Sequence, residues 1–74
     1  MDTYHLVKHD NHWQLLREGD DKASLTATTK IGALDKAHAF LINRKSVLKV
    51  HGHSGEVQEE WTYPRSEEAV KILR

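Results

Sequence analysis

Hydrophobic positions recur at spacings of three and four along residues 29–44. This spacing predicts an amphipathic helix with one apolar face. Thr29 precedes the first apolar position, and its hydroxyl can accept a hydrogen bond from a free amide of the first turn, so we expect it to be the N-cap. Arg44 and Lys45 suit the other end, where cations complement the helix dipole. The apolar face consists of Ala33, Leu34, Ala37, Phe40 and Leu41.

Apolar and polar residues alternate in the segments on either side of this helix, and alternation is typical of half-buried strands. A turn at Asp10-Asn11-His12 joins the first two strands into a hairpin. The predicted strands are residues 3–9, 13–18, 22–28, 47–51 and 56–63. The residues expected to face the helix are Tyr4, Leu6, Trp13, Leu15, Leu48 and Val50.

The order of these elements is β-β-β-α-β-β, which predicts an α+β fold with the central helix on one face of an antiparallel sheet. We expect the fifth strand to lie at or near a sheet edge. The Ser66-Glu67-Glu68 segment is typical of a helix start, and Ala69, Val70, Ile72 and Leu73 would give it an apolar face, so residues 64–74 form either a short helix or a tail. The chain is thus predicted to be one domain, residues 1–74, with its core in residues 3–63.

Composition narrows the class of protein. Eleven basic and eleven acidic residues cancel, so net charge gives no support for binding nucleic acid or a membrane surface. There is no cysteine, hence no disulfide framework. No apolar run approaches the roughly 18 residues of a membrane span, and the N-terminus lacks the apolar core of a signal peptide. These features predict a soluble, cytoplasmic protein without a cofactor.

Six histidines are the compositional oddity. His51 and His53 would share one side if their strand continued through both, and His9 and His12 flank the first turn. A tetrahedral zinc site needs four ligands, and no cysteine and no recognised ligand spacing is present. We therefore predict no metal site and interpret these residues as solvated turn histidines.

No pattern in the chain predicts an active site. Ser54 lies beside His53, but neighbours in a turn rarely form a nucleophile–base relay, which also needs a third, orienting group. Strand alternation puts Glu56 and Glu60 on a solvated face, away from Glu59, which argues against paired catalytic carboxylates. The chain also lacks a phosphate-binding glycine loop. We predict no catalytic residue, and an enzyme ranks third among the functions considered.

Nucleic-acid binding is the main alternative function. Some small DNA-binding domains lay a sheet on the duplex, and here the candidate contacts are Lys22 and Lys30 with the outward residues of the first hairpin. Phosphate contacts depend on Lys and Arg, whereas this predicted surface is mixed in charge.

An excess of apolar residues favours a binding module instead. Val7 and Leu16 fall on the face away from the helix, and one small helix cannot cover both faces of a five-stranded sheet. The remaining apolar groups would be covered by residues 64–74 or by another chain, either a protein partner or a second copy. The candidate interaction residues are Val7, Leu16, Trp61, Ile72 and Leu73. We therefore predict a small non-enzymatic interaction module.

Short motifs between Tyr4 and Tyr63 recur in a known family. They are Tyr4-His5-Leu6-Val7, Trp13, Arg17-Glu18-Gly19, Ala23-Ser24, Thr29-Lys30, Ala33, Ala37, Leu48-Lys49-Val50-His51-Gly52, Gly55 and Gln58-Glu59. On these residues the chain resembles the DUF2188 family of small bacterial and phage proteins of unknown function, across about four fifths of its length. The family tends to have proline where Lys8 stands, glycine where Lys45 stands and a Gly/Asp/Pro-rich tail after Tyr63. The resemblance implies the order of strands and helix and carries no assigned activity.

Overall fold

The computed structural model describes residues 1–63 and 70–72, and these residues form strands around one helix. The predicted α+β class and the order β-β-β-α-β-β are confirmed, and a further strand follows them. The elements are β1 (Asp2–His9), β2 (His12–Arg17), β3 (Leu25–Ala27), α1 (Lys30–Leu41), β4 (Ser46–His51), β5 (Val57–Tyr63) and β6 (Val70–Ile72).

All strands join one sheet in the order β3-β2-β1-β4-β5-β6. β1 and β4 lie side by side at its centre and run parallel, with Tyr4 opposite Leu48 and Leu6 opposite Val50. The prediction of a purely antiparallel sheet was therefore wrong: the sheet is mixed. The physical reason is the connection, because α1 spans about 18 Å and carries the chain from the β3 edge back to the centre, where β4 pairs with β1.

Helix α1 begins as predicted, with Thr29 in extended backbone and its Oγ1 accepting from the Gly32 amide at 3.0 Å. It ends at Leu41, three residues before the predicted end, and the amide of Arg44 donates to the Leu41 carbonyl in a turn. The Arg44 side chain donates from Nε to the Phe40 carbonyl at 3.2 Å, so a cation does serve this helix end. No helix among the described residues is both long and apolar enough to cross a membrane.

The core lies between α1 and the central strands. Ala33, Ala37 and Leu41 are fully buried, and the two alanines allow the helix to approach the sheet closely, whereas Leu34 and Phe40 pack at its margin. The residues predicted to face the helix are confirmed as buried: Tyr4, Leu6, Trp13, Leu15, Leu48 and Val50. Tyr63, at 1% exposure, completes this core below the end of β5.

Several predicted bounds need correction. The third strand is only Leu25–Ala27, because residues 20–24 form the connection, in which the Ser24 amide still bonds the Leu15 carbonyl. β5 begins at Val57, one residue later than predicted, and contains a bulge at which the register with β4 shifts between Val50 and His51. Across this bulge Val57 pairs with His51, and Gln58 is the extra residue, so the simple alternation predicted for this strand fails at its start.

The C-terminal segment contains a strand where a helix was one of two predictions. Residues Val70–Ile72 pair antiparallel with β5, Ile72 lying opposite Glu59 and Val70 opposite Trp61. A short apolar run fits either structure, and hydrogen bonding to β5 selects the strand. β5 is therefore next to the edge strand β6. The predicted helix start at Ser66-Glu67-Glu68 and Leu73 lie outside the described residues.

Candidate functional site

The face of the sheet opposite α1, here called the outer face, is not covered by a second layer among the described residues. Strand alternation sets its composition, because every buried core residue has neighbours that point the other way. The pairing registers align these side chains in rows across β2, β1, β4 and β5. The outer face in these strands includes Thr3, His5, Val7, Gln14, Leu16, Val47, Lys49, His51, Val57, Glu60 and Thr62.

Apolar side chains are scattered among polar ones on the outer face. Val7 lies opposite Gln14, and Leu16 lies opposite His5. Val47 lies between Thr3 and Thr62. Val57 lies opposite His51, and all four of these apolar residues are half-buried. The outer face thus offers some apolar area within a hydrogen-bonding surface.

Charge on the outer face is balanced locally. Lys49 lies directly opposite Glu60 in the β4–β5 ladder and opposite His5 in the β1–β4 ladder. The other carboxylate is Glu18, just after β2, held beside β1 because its amide donates to the Thr3 carbonyl at 2.7 Å. A surface of this kind lacks the row of cations that phosphate binding requires.

A chain of side-chain hydrogen bonds crosses the outer face. Nε2 of His5 lies 2.9 Å from Oε1 of Glu18, and Nδ1 of His5 lies 2.9 Å from Nε2 of His51. Nδ1 of His51 lies 2.8 Å from the carbonyl oxygen of Gly55. We call these four groups the histidine relay. It ties the end of β2 to β1, β4 and the β4–β5 turn.

The β4–β5 turn supplies the last group of the histidine relay, the Gly55 carbonyl oxygen that accepts from His51. Gly55 has φ +91°, a left-handed conformation that favours glycine, and its amide donates to the Gly52 carbonyl at 3.1 Å. The Gly52 amide in turn donates to the Glu56 carbonyl at 2.7 Å. These bonds fix the direction of the Gly55 carbonyl toward His51.

The two histidine pairs of the sequence analysis have different outcomes. β4 ends at His51, so His53 is not on the same side: its ring meets Trp13 edge-on at 5.4 Å between centroids. His9 and His12 do flank the first turn, with ring centroids 5.6 Å apart. Among the described residues no group of three or more His, Asp or Glu side chains is arranged to hold a metal ion.

The two lysines proposed for nucleic-acid contact are not on the outer face. Lys30 lies on the helix side, where its ammonium group is 5.3 Å from the Trp13 ring centre and donates to the Gln58 side chain. Lys22 is exposed in the connection between β2 and β3. The structure therefore does not bring these lysines together with the outward residues of the first hairpin.

Trp61 lies apart from the other candidate interaction residues. It is opposite the buried Leu48, packs at the margin of the core and donates from Nε1 to Glu59 at 3.0 Å. Its ring meets that of His38 on α1, which also bonds the hydroxyl of Tyr63. Val7 and Leu16 do share the outer face, the backbone of Ile72 is in β6, and Leu73 lies outside the described residues.

Sequence reasoning missed the histidine relay. It noted the histidines but compared only neighbours in the chain, whereas His5 and His51 meet because β1 and β4 are parallel partners. Only their outward positions on strands were visible beforehand. Likewise, alternation placed Gln58 outward, but the bulge turns it toward Lys30.

Comparison with known proteins gives one result. No curated protein matches the chain, and no solved structure does. A family model described as an uncharacterized protein conserved in bacteria (DUF2188) matches residues 4–63, which include every member of the histidine relay and the outer face apart from Thr3. The chain belongs to the DUF2188 family.

Proposed function

We propose that this protein is a small non-enzymatic interaction module that binds protein through the outer face of its sheet, and that a second copy of the chain is the partner. The observation that carries the proposal is a sheet face with half-buried Val7, Leu16 and Val47 and no helix or strand of the described residues above it. Contact with a second copy would remove the exposed parts of these three side chains from water, which favours association.

The arrangement of charge supports a second copy as the partner. Lys49 and Glu60 are lateral neighbours, and the whole chain has a formal net charge of zero with neutral histidines. A two-fold axis parallel to the strands and passing between these residues would set each Lys49 against the Glu60 of the other copy. Two copies therefore meet without net repulsion, and each contact is made twice.

Small size gives association a further role. A domain of this length buries only about 60% of the surface that its unfolded chain exposes, so its own core supplies limited stability. The chain has no cysteine with which to form a disulfide. Covering the outer face of one copy with another would bury additional apolar area.

Sedimentation at tens of micromolar tests the proposal. We expect a dimer in the wild type, and we expect Leu16→Glu and Val7→Glu to give folded monomers because a carboxylate would be desolvated at the contact. The matched control is Ala39→Glu, since Ala39 is exposed on α1 on the opposite side of the molecule. Circular dichroism establishes that each variant is folded.

Two results would overturn the proposal. One is a monomeric wild type at these concentrations that also shows no association when the concentration is raised tenfold. The other is a dimer that Ala39→Glu abolishes while both outer-face variants retain it, because the contact would then involve the helix surface.

A further inference from the structure

We infer that His5 and His51 share one proton, and that the histidine relay is a pH-sensitive element that is intact only while the pair holds that proton. The inference goes beyond the proposed function and requires no partner. It rests on the number of hydrogens that the observed contacts need.

The two ends of the relay fix two of the four ring nitrogens as donors. A carbonyl oxygen can only accept, so Nδ1 of His51 carries the hydrogen in its contact with Gly55. The Glu18 carboxylate likewise accepts, so Nε2 of His5 carries the hydrogen in that contact. Each neutral imidazole has one N–H, and each has now used it.

The middle contact then lacks a hydrogen. With both rings neutral, Nδ1 of His5 and Nε2 of His51 would present lone pairs to each other at 2.9 Å. Three hydrogen bonds need three hydrogens, whereas two neutral imidazoles and a carboxylate bring two. One added proton completes the relay and gives the His5–His51 pair a single positive charge, which the charge of Glu18 balances.

The ring geometry is that of an N–H···N bond. The ring centroids are 5.1 Å apart and the two nitrogens 2.9 Å apart, so both nitrogens lie close to the line between the ring centres. A metal ion would require the two lone pairs to converge on a third point beside that line, together with further ligands. The described residues supply no such group.

The charged side chains on the strands around the His5–His51 pair largely offset one another. Toward His5, β2 contributes Glu18 at its end, and β4 contributes Lys49. β5 contributes Glu60, which lies opposite Lys49 and offsets it. His9 and His12 are further along β1 and β2, and His9 lies 3.6 Å from Asp10 at the turn. Among the described residues, Glu18 is therefore the charged side chain that is hydrogen-bonded to the pair.

The relay breaks on both sides of its working pH. Loss of the shared proton leaves two facing lone pairs, and gain of a second proton leaves two facing N–H donors and two like charges. Breaking the middle contact separates His51 from His5, whereas His51 keeps its hydrogen bond to Gly55, so the turn at residues 52–55 is uncoupled from β1. The element therefore responds to a pH window rather than to a single threshold.

Nitrogen-15 NMR of the histidine rings in the wild-type chain tests this, from pH about 5 to about 9. We expect Nε2 of His5 and Nδ1 of His51 to keep their hydrogens throughout. The facing nitrogens should take up one proton jointly, then a second at lower pH, in two coupled steps. The amide signals of Gly52 and Gly55 should follow the same two steps.

A matched pair of variants isolates the pair. In His51→Gln the side-chain amide can donate to Nδ1 of His5 without an added proton, so the two steps should collapse to a single titration of His5. The control, His53→Gln, changes a histidine that lies against Trp13 outside the relay and should leave both steps unchanged.

Three results would overturn the inference. The first is independent, single-step titration of His5 and His51 in the wild type, a result that does not depend on whether any variant folds. The second is an unchanged His5 titration in His51→Gln. Saturable displacement of the facing hydrogens by one equivalent of Zn²⁺, reversed by a chelator, would instead identify the two nitrogens as metal ligands.

Discussion

The ammonium group of Lys30 lies 5.3 Å from the ring centre of Trp13, at the first turn of α1. The same ammonium group donates to the Gln58 side chain, which the β5 bulge turns toward it. The His53 ring also contacts Trp13 edge-on, with the ring centroids 5.4 Å apart. One lysine therefore joins the helix start to β2 and β5, on the face of the sheet opposite the histidine relay.

Trp13 is only 4% exposed, so its removal should be among the most damaging single changes. We expect Trp13→Ala to lower the free energy of unfolding by about 3–5 kcal/mol, through lost burial and the cavity left behind. Phe40 packs edge-on against Tyr4 but is half-buried, so Phe40→Ala should cost roughly 2 kcal/mol. Urea denaturation followed by circular dichroism measures both. Near-wild-type stability of Trp13→Ala would show that its burial is misassigned.

Thr29 caps α1 through one hydrogen bond to the Gly32 amide. We expect Thr29→Ala to lower stability by about 1 kcal/mol, because the amide loses its acceptor. Thr29→Ser keeps the hydroxyl and is the matched control, expected to stay within about 0.5 kcal/mol of wild type. Equal losses in the two variants would attribute the effect to the methyl group instead of the cap.

Asp10 and Asn11 are the two central residues of the turn between β1 and β2. Replacing each of them with glycine should change the free energy of unfolding in opposite directions. Asp10 has φ +54°, a conformation that costs an L-residue about 1 kcal/mol, so Asp10→Gly should raise stability by roughly 0.5–1 kcal/mol. Asn11 is not in that region, so Asn11→Gly should lower stability by a similar amount through added freedom of the unfolded chain. Thermal unfolding of both variants checks the sign. Destabilisation by Asp10→Gly would mean that its side chain supports the turn more than its backbone is strained.

Nucleic-acid binding makes a distinct prediction about salt. Because Lys30 is engaged beside Trp13 and Lys49 is paired with Glu60 in register, we expect no micromolar binding of labelled DNA or RNA even at low salt. Fluorescence anisotropy measures this, and Lys22→Ala with Lys30→Ala serves as the comparison. Tight binding that falls steeply with salt and is lost in these variants would favour the nucleic-acid function over the interaction module.

Local periodicity was sufficient for most of the secondary structure. The spacing of Ala33, Ala37 and Leu41 predicted the buried face of α1, and Thr29 predicted its start, because both depend only on residues within a few turns of each other. Alternation likewise separated Leu6 and Leu15 from the outer face, since a strand repeats every two residues whichever strand lies beside it.

The tertiary structure decided which strands are neighbours, and the candidate site depends on that choice. Alternation is the same in parallel and antiparallel strands, so it could not place β4 beside β1 or select a strand for Val70–Ile72. The contact of His5 with His51 joins residues 46 positions apart and exists only because these two strands run parallel. The sequence by itself determined which side chains point outward on β1, β2 and β4, whose alternation is regular. Only the packing of the whole sheet, with a bulge that inserts one residue into β5, determined which of them meet.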